Sequence, residues 1–220
     1  MVIVALVLSL GMVALPAGEV RAGGADVFID PTLKEVATGE TFTVNVDIIP
    51  GESIAGAQFD MSFDQSRLYC NGVTEGDLFS QDGADTFFGV INIDNGGGTI
   101  TGVYGGTLYG ATVSGPGTFA TVSFTAKDVL GTSLLNFSNV GVADPTPAWL
   151  LSITVTDGSV TTVLLGDANG DGNINVLDMT KVARIILLLD AETPGADANL
   201  DGVVNVLDIT KIARIILGLD

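Results

Sequence analysis

The end of the chain says the same thing twice. Residues Asp167–Asp190 and Asp197–Asp220 align without a gap, and about three quarters of the aligned positions are identical. Each copy opens on a twelve-residue stretch, Asp167–Asp178 and Asp197–Asp208, with oxygen-bearing side chains at positions 1, 3, 5, 9 and 12 and glycine at position 6. In the first copy these are Asp167, Asn169, Asp171, Asn175 and Asp178, with Gly172. In the second they are Asp197, Asn199, Asp201, Asn205 and Asp208, with Gly202. An apolar stripe at helical spacing follows in both: Val182, Ile185, Ile186 and Leu189, then Ile212, Ile215, Ile216 and Leu219.

This is the ligand spacing of a calcium-binding EF-hand loop. Ca²⁺ takes six to eight hard oxygens at ~2.3–2.6 Å, and glycine at position 6 permits the sharp turn around the ion. Position 7, Asn173 or Val203, would supply its backbone carbonyl. The bland alternative is an Asp/Asn/Gly-rich turn that caps a helix. Two loops in identical register argue for two ions instead. Two features depart from the usual EF-hand. Position 12 is Asp rather than Glu, and Thr161–Gly166, before the first loop, is β-branched and Leu-rich rather than helical.

A duplicated half-EF-hand of the form Asp-x-Asn-x-Asp-Gly-x-(Ile/Val)-Asn-x-x-Asp resembles the dockerin family, over about Gly166 to Asp220. The resemblance implies a small calcium-folded helical module, residues 164–220, that plugs into a cohesin on another protein. It also implies that recognition falls on loop positions 10 and 11 and on the following helix. Those positions are Val176, Leu177 and Arg184 in the first copy and Val206, Leu207 and Arg214 in the second. Two placements are open to the Val–Leu pairs: exposed for docking, or packed into the module's own core.

Ahead of the tail the sequence changes character. Phe42, Val44, Val46 and Ile48 alternate with polar residues, as do Ala57, Phe59, Met61 and Phe63, and Ala120, Val122, Phe124 and Ala126. Period-two alternation with frequent turns predicts an antiparallel β-sandwich over residues 23–163, with about nine strands and no helix of note. Cys70, the single cysteine, has no internal disulfide partner and reads as a half-buried strand residue.

Three segments of the sandwich are similar to strands of the cohesin family: Gly39–Val46, Gly56–Asp64 with Ser66–Leu68 after it, and Gly117–Phe124. That resemblance covers Asp26 to about Thr162 and implies a mainly β fold, a nine-stranded jelly roll. It also implies that a partner dockerin would sit on a flat sheet face made by Ala55–Phe63, Thr86–Ile91, Thr99–Tyr104 and Ser133–Val142. The outward Gln58, Asp60 and Ser62 belong either to that face or to an ordinary solvated one.

Residues 1–22 begin with an apolar run, Val2 to Leu15, and end on Val20-Arg21-Ala22, a small-x-small cleavage pattern. They read as a secretory signal, although no Lys or Arg precedes the run. A retained anchor is the alternative, but the run is shorter than the ~20 residues of a comfortable span. The expected location is therefore extracellular or at the cell surface.

The net charge of −18 argues against nucleic acid and anionic membrane as partners. Absence of histidine removes the commonest general base and the Ser-His-Asp arrangement. No motif picks out a catalytic carboxylate pair, so the expected protein is not an enzyme. The family resemblance implies a non-catalytic adaptor in assemblies that break down polysaccharide. A dockerin-borne carbohydrate-binding module and a cell-surface adhesion protein are the alternatives. For the carbohydrate reading, Trp149, Tyr104 and Tyr109 would have to share one exposed face, since sugars stack on aromatic rings. Trp149, in a Pro-flanked loop, is expected to plug the core instead.

Overall fold

The computed structural model describes residues 24–146 and 148–219. The expected signal segment lies outside them. Eleven strands come first: β1 (Gly24–Asp30), β2 (Leu33–Ala37), β3 (Thr41–Pro50), β4 (Gly56–Ser62), β5 (Leu68–Glu75), β6 (Thr86–Asp94), β7 (Thr99–Thr107), β8 (Gly117–Ala126), β9 (Gly131–Ala143), β10 (Ser152–Thr156) and β11 (Gly158–Val163). Two helices follow, α1 (Val176–Ile186) and α2 (Val206–Ile216). The strands form a five-stranded sheet, β10-β1-β3-β8-β5, and a six-stranded sheet, β2-β11-β9-β4-β7-β6.

The alternation places the core where the sequence puts it. Phe42, Val44, Val46 and Ile48 of β3 are buried, as are Ala57, Phe59 and Met61 of β4, while their neighbours in sequence point outward. The rings of Phe59 and Phe119 meet edge to face with centroids 5.9 Å apart, and those of Phe63 and Phe124 at 5.3 Å. Cys70 is fully buried rather than half-buried, and burial pushes its thiol up to about 11.

The strand count is eleven, not nine, for one physical reason. Chain segments at both ends of the sandwich cross between the sheets. At Pro31, which has no amide to continue a ladder, the first segment leaves the five-stranded sheet as β1 and enters the six-stranded one as β2. The last segment of the sandwich does the same at Asp157–Gly158 and is divided into β10 and β11. The two crossings touch. A Cβ on Gly158 would lie 2.9 Å from the Ile29 side chain, and the Ser159 amide donates to the Thr32 carbonyl at 2.8 Å. Because both segments run the same way, β1–β10 and β2–β11 are parallel pairs in an otherwise antiparallel sandwich.

Each helix of the tail buries fewer residues than its stripe contains. Val182, Ile185 and Ile212 are buried with Ala168, Ala196 and Ala198 in a small separate core. Ile186, Leu189, Ile216 and Leu219 are exposed. The helices stop at Ile186 and Ile216 in a reverse turn, so Leu189 and Leu219 never reach the packed face.

Truncating a side chain at the centre of the sandwich should be costly. Phe124→Ala, which removes the ring that packs on Phe42 and Phe63, is expected to cost about 3–5 kcal/mol in urea unfolding. Tyr109→Ala, at a residue 91% exposed, should stay within about 0.5 kcal/mol.

Candidate metal loops and docking faces

The two twelve-residue stretches fold into the same loop. Position 1 gathers amides. The Asp167 Oδ1 accepts from Gly170 and Asp171 at 2.9 and 3.0 Å, and Oδ2 accepts from Gly172 at 2.8 Å. Asp197 accepts likewise from Asp201 and Gly202. The glycines at position 6, Gly172 and Gly202, have φ of 82° and 87°. A Cβ there would meet nothing within 4 Å, so the left-handed backbone, not crowding, is what favours glycine.

Position 12 ties loop to helix. Asp178 accepts from the Asn169 amide with one oxygen (3.0 Å) and from the Asn175 amide with the other (2.8 Å). Asp208 does the same with Asn199 and Asn205. Both carboxylates are wholly buried. Position 9 caps the helix: Asn175 and Asn205 accept from the amides of Leu177 and Leu207 at 2.9 and 2.8 Å. The carbonyl of position 7, Asn173 or Val203, accepts from the side-chain nitrogen of the Asn at position 9. Asn169 and Asn199 donate to Asp171 and Asp201, and the Asn169 bond is the main cause that lowers the Asp171 carboxyl.

Among the described residues no three Asp, Glu, Cys or His side chains form a ready cluster for a metal. The loop's donors are mixed: carboxylates at positions 1, 5 and 12, Asn amides at 3 and 9, and a carbonyl at 7. All are hard oxygens, the donor set that suits Ca²⁺. Buried carboxylates at position 12, hydrogen-bonded by backbone amides, are charges that such an ion would neutralise.

Of the two placements open to the Val–Leu pairs, the structure has the exposed one. Val176 and Leu177, and Val206 and Leu207, are more than half exposed at the first turn of each helix. Arg184 is half exposed and grips Asp190 with two bonds, at 2.9 and 2.8 Å, while Lys181 adds a third at 3.1 Å. These bonds, Arg184 first, hold the Asp190 carboxyl far below the usual carboxylate range. Arg214 donates to the Leu219 carbonyl.

The tail packs against one edge of the sandwich. Only Leu164 and Leu165 separate β11 from Gly166. The Gly195 backbone faces the Glu35 carboxylate on β2. Lys34, Glu40, Thr193 and Leu200 line the cleft between the modules. Partial burial, with Asp197 and Glu192 nearby, raises the Glu35 carboxyl.

The other candidate face is the outer side of β4, β7 and β6, with the adjoining part of β9. Asp60 sits where β4 slips register against both of its neighbours. Its carboxylate accepts from the Gly102 amide at 2.6 Å and from the Asn139 side chain, and Gln58 donates to the Asn139 carbonyl. Around this polar centre lie exposed apolar groups. Trp149, expected as a loop plug over the core, is 54% exposed and lies over Gly141 on the outer face, where a Cβ would come within 2.7 Å of its ring. Tyr104 lies equally close over Gly89, and Ile91 over Gly102. Phe87 flanks Tyr104. Tyr109 is exposed but does not line this surface. Sequence reasoning named the strands and Gln58 and Asp60. It missed the role of Trp149 and Ile91, which lie over glycines of the neighbouring β9 and β7, and of Phe87, which packs on Tyr104.

A two-sheet sandwich followed by a duplicated loop–helix pair is the build of a cohesin joined to a dockerin, two modules that act by binding. The Cohesin domain family matches residues 27–163 and the Dockerin type I domain family residues 165–217, so the chain belongs to the cohesin family and carries a type I dockerin behind it. No curated protein matches the chain. Solved structures share the sandwich fold. The sixth cohesin of Acetivibrio cellulolyticus scaffoldin B, solved with a Cel5 dockerin, is 21% identical with a TM-score of 0.52, over 64% of this chain and 99% of that one. The Coh-OlpA–Doc918 complex, a type I cohesin–dockerin complex of Clostridium thermocellum, gives 18% and 0.52, over 63% and 99%. A non-cellulosomal cohesin of the archaeon Archaeoglobus fulgidus gives 16% and 0.51, over 63% and 91%.

Two expectations follow from this geometry. Leu188 has φ of 56°, where the second copy has Gly218 at 65°. A left-handed backbone costs a residue with a Cβ roughly 1–2 kcal/mol, and Leu188 is 90% exposed. Leu188→Gly should therefore stabilise the tail by about 1 kcal/mol in thermal or urea unfolding. The Asp190 pairing stabilises the fold above the ordinary carboxylate pKa of about 3.9 and is lost as pH falls through the depressed value in the folded state. Asp190→Asn should lower the urea midpoint at neutral pH, and the gap to the parent should close in strong acid.

Proposed function

We propose that this chain is a non-catalytic extracellular adaptor. Its tail, loaded with two calcium ions, docks on the cohesin of a partner, and the β4–β7–β6 face of its sandwich receives a partner dockerin. The ligands would be Asp167, Asn169, Asp171, Asn173, Asn175 and Asp178 in one loop, and Asp197, Asn199, Asp201, Val203, Asn205 and Asp208 in the other. Bound calcium would neutralise the inward carboxylates and fix each helix to its loop. The docking residues would be Val176, Leu177 and Arg184, with Val206, Leu207 and Arg214. Complexes of this kind gather polysaccharide-degrading enzymes outside the cell, and that is the setting proposed here.

One observation carries the reading. Two loops with the same hard-oxygen donors each lead straight into a helix whose first apolar residues are exposed. Such a pair serves neither the core nor solubility, and it sits where a partner can reach it. Calorimetric titration of the full chain should find two calcium sites, and Asp178→Ala should leave one. Circular dichroism should lose helix on chelation. A chain that takes up no calcium overturns the reading.

A second reading, carbohydrate binding by the sandwich, is favoured by Trp149 and Tyr104 on one exposed face. Retention of the chain on insoluble polysaccharide, lost in Trp149→Ala, would support it over dockerin reception.

A further inference from the structure

We propose that Glu35 and Glu40 of the sandwich strengthen the calcium hold of the second tail loop, so that two loops alike in their ligands become unequal. This rests on the calcium loading proposed above and adds to it residues from outside the tail. Three observations carry it.

The first is place. Asp197 opens the second loop, and with Leu200 and Gly202 of the same loop it lines the cleft between tail and sandwich. Lys34 and Glu35 on β2, and Glu40 in the turn after it, line the same cleft from the sandwich side. Among the described residues, none of the first loop lines it.

The second is fixity. The connection from β11 and the link between the two copies are laid on each other. The Gly166 amide donates to the Gly195 carbonyl at 3.0 Å, and the Thr193 hydroxyl to the Ala168 carbonyl at 2.7 Å. A Cβ on Gly195, whose φ is 82°, would come within 2.9 Å of the carbonyl oxygens of Leu164 and Asp167. A Cβ on Gly166 would meet the side chains of Ile174, Ile212 and Ile215 at 3.3–3.4 Å. The connection is thus part of the tail's own packing, and the second loop is kept at the β2 edge rather than swinging on a tether.

Charge is the third. Four carboxylates, Glu35, Glu40, Glu192 and Asp197, share the cleft with one cation, Lys34. Asp197 and Glu192 both bear on the Glu35 carboxyl. Among the described residues no three acids form a cluster that could hold a metal, so the glutamates act through their field and not as ligands. Clefts lined by one sign of charge concentrate that field. It opposes the bare Asp197 carboxylate and attracts a divalent cation held there.

Calorimetric titration of the full chain with calcium tests this. In an Asp178→Ala chain, which keeps the second loop, Glu35→Gln with Glu40→Gln should weaken binding about tenfold in dilute buffer, and far less at about 0.5 M salt. The Glu40 carboxylate accepts from the Ala37 amide at 2.9 Å, and glutamine keeps an oxygen for that bond. Lys34→Gln should tighten the same site by about threefold. Opposite signs from opposite charges set a field apart from damage to the fold. In an Asp208→Ala chain, which keeps the first loop, none of these changes should alter binding. Where a single-loop chain fails to fold, the parent serves: the glutamate pair should weaken the tighter of its two binding steps and leave the other. Equal effects on both loops, or no effect on the second, overturn the proposal and leave calcium loading standing. A parent chain that takes up no calcium overturns the loading itself, and this inference with it.

Discussion

Each half of the tail hangs on one buried carboxylate. Asp178 takes an amide from the far side of its loop with one oxygen and the amide of the helix cap with the other. Asp208 repeats the arrangement. Without that bridge, position 3 of the loop and the first turn of the helix have nothing else in common. The tail core is small, six buried residues of which three are alanines, so packing alone gives the module little to stand on. The bridge also sets what the helix shows. With position 12 turned inward, positions 10 and 11 are forced outward, and Val–Leu becomes surface.

The sandwich makes its surface by a different device. There the backbone is brought close and the side chains are laid flat on it. Gly89, Gly102 and Gly141 leave room for Tyr104, Ile91 and Trp149 to lie against neighbouring strands. Bulges on both sides of β4 would strand the Gly102 amide, and Asp60 accepts it. The result is a rigid apolar patch with a fixed polar centre. Apolar groups held this way lose little further freedom when a partner covers them, which is what a docking surface needs.

Much of this was legible in the sequence where the cause is local. Loop ligands fall within twelve residues, so their spacing could be read directly. Alternation in β3, β4 and β8 showed which residues face the core, because one side chain in two is buried there. β2 gave no such signal: only Val36 is buried in Leu33–Ala37, and its partner β11 lies more than a hundred residues away in a parallel pair. The split of β10 from β11 was hidden for the same reason, since Gly158 crosses between sheets only against Ile29. Trp149 was misplaced because a Pro-flanked loop says nothing of Gly141 beneath it. Helix length was overread in the tail because the apolar stripe runs on through Leu189 and Leu219, past the turn that ends each helix.

The two copies are alike in backbone but not in what they spend on it. Besides the glycine both have at loop position 6, each has one left-handed site filled by glycine and one filled by leucine. The first has Gly170 and Leu188, the second Leu200 and Gly218. Leu200 returns something for its strain. It lines the cleft where the tail meets β2, so its side chain works at the junction. That marks the second loop as the one turned toward the sandwich. Leu188 has no such return. It is 90% exposed, beside the exposed Leu187 and Leu189, and a glycine in the equivalent place serves the second copy well. Stability therefore gives no reason for leucine at this position. The copy turned away from the sandwich keeps an exposed apolar residue at a cost, and nothing among the described residues offsets it.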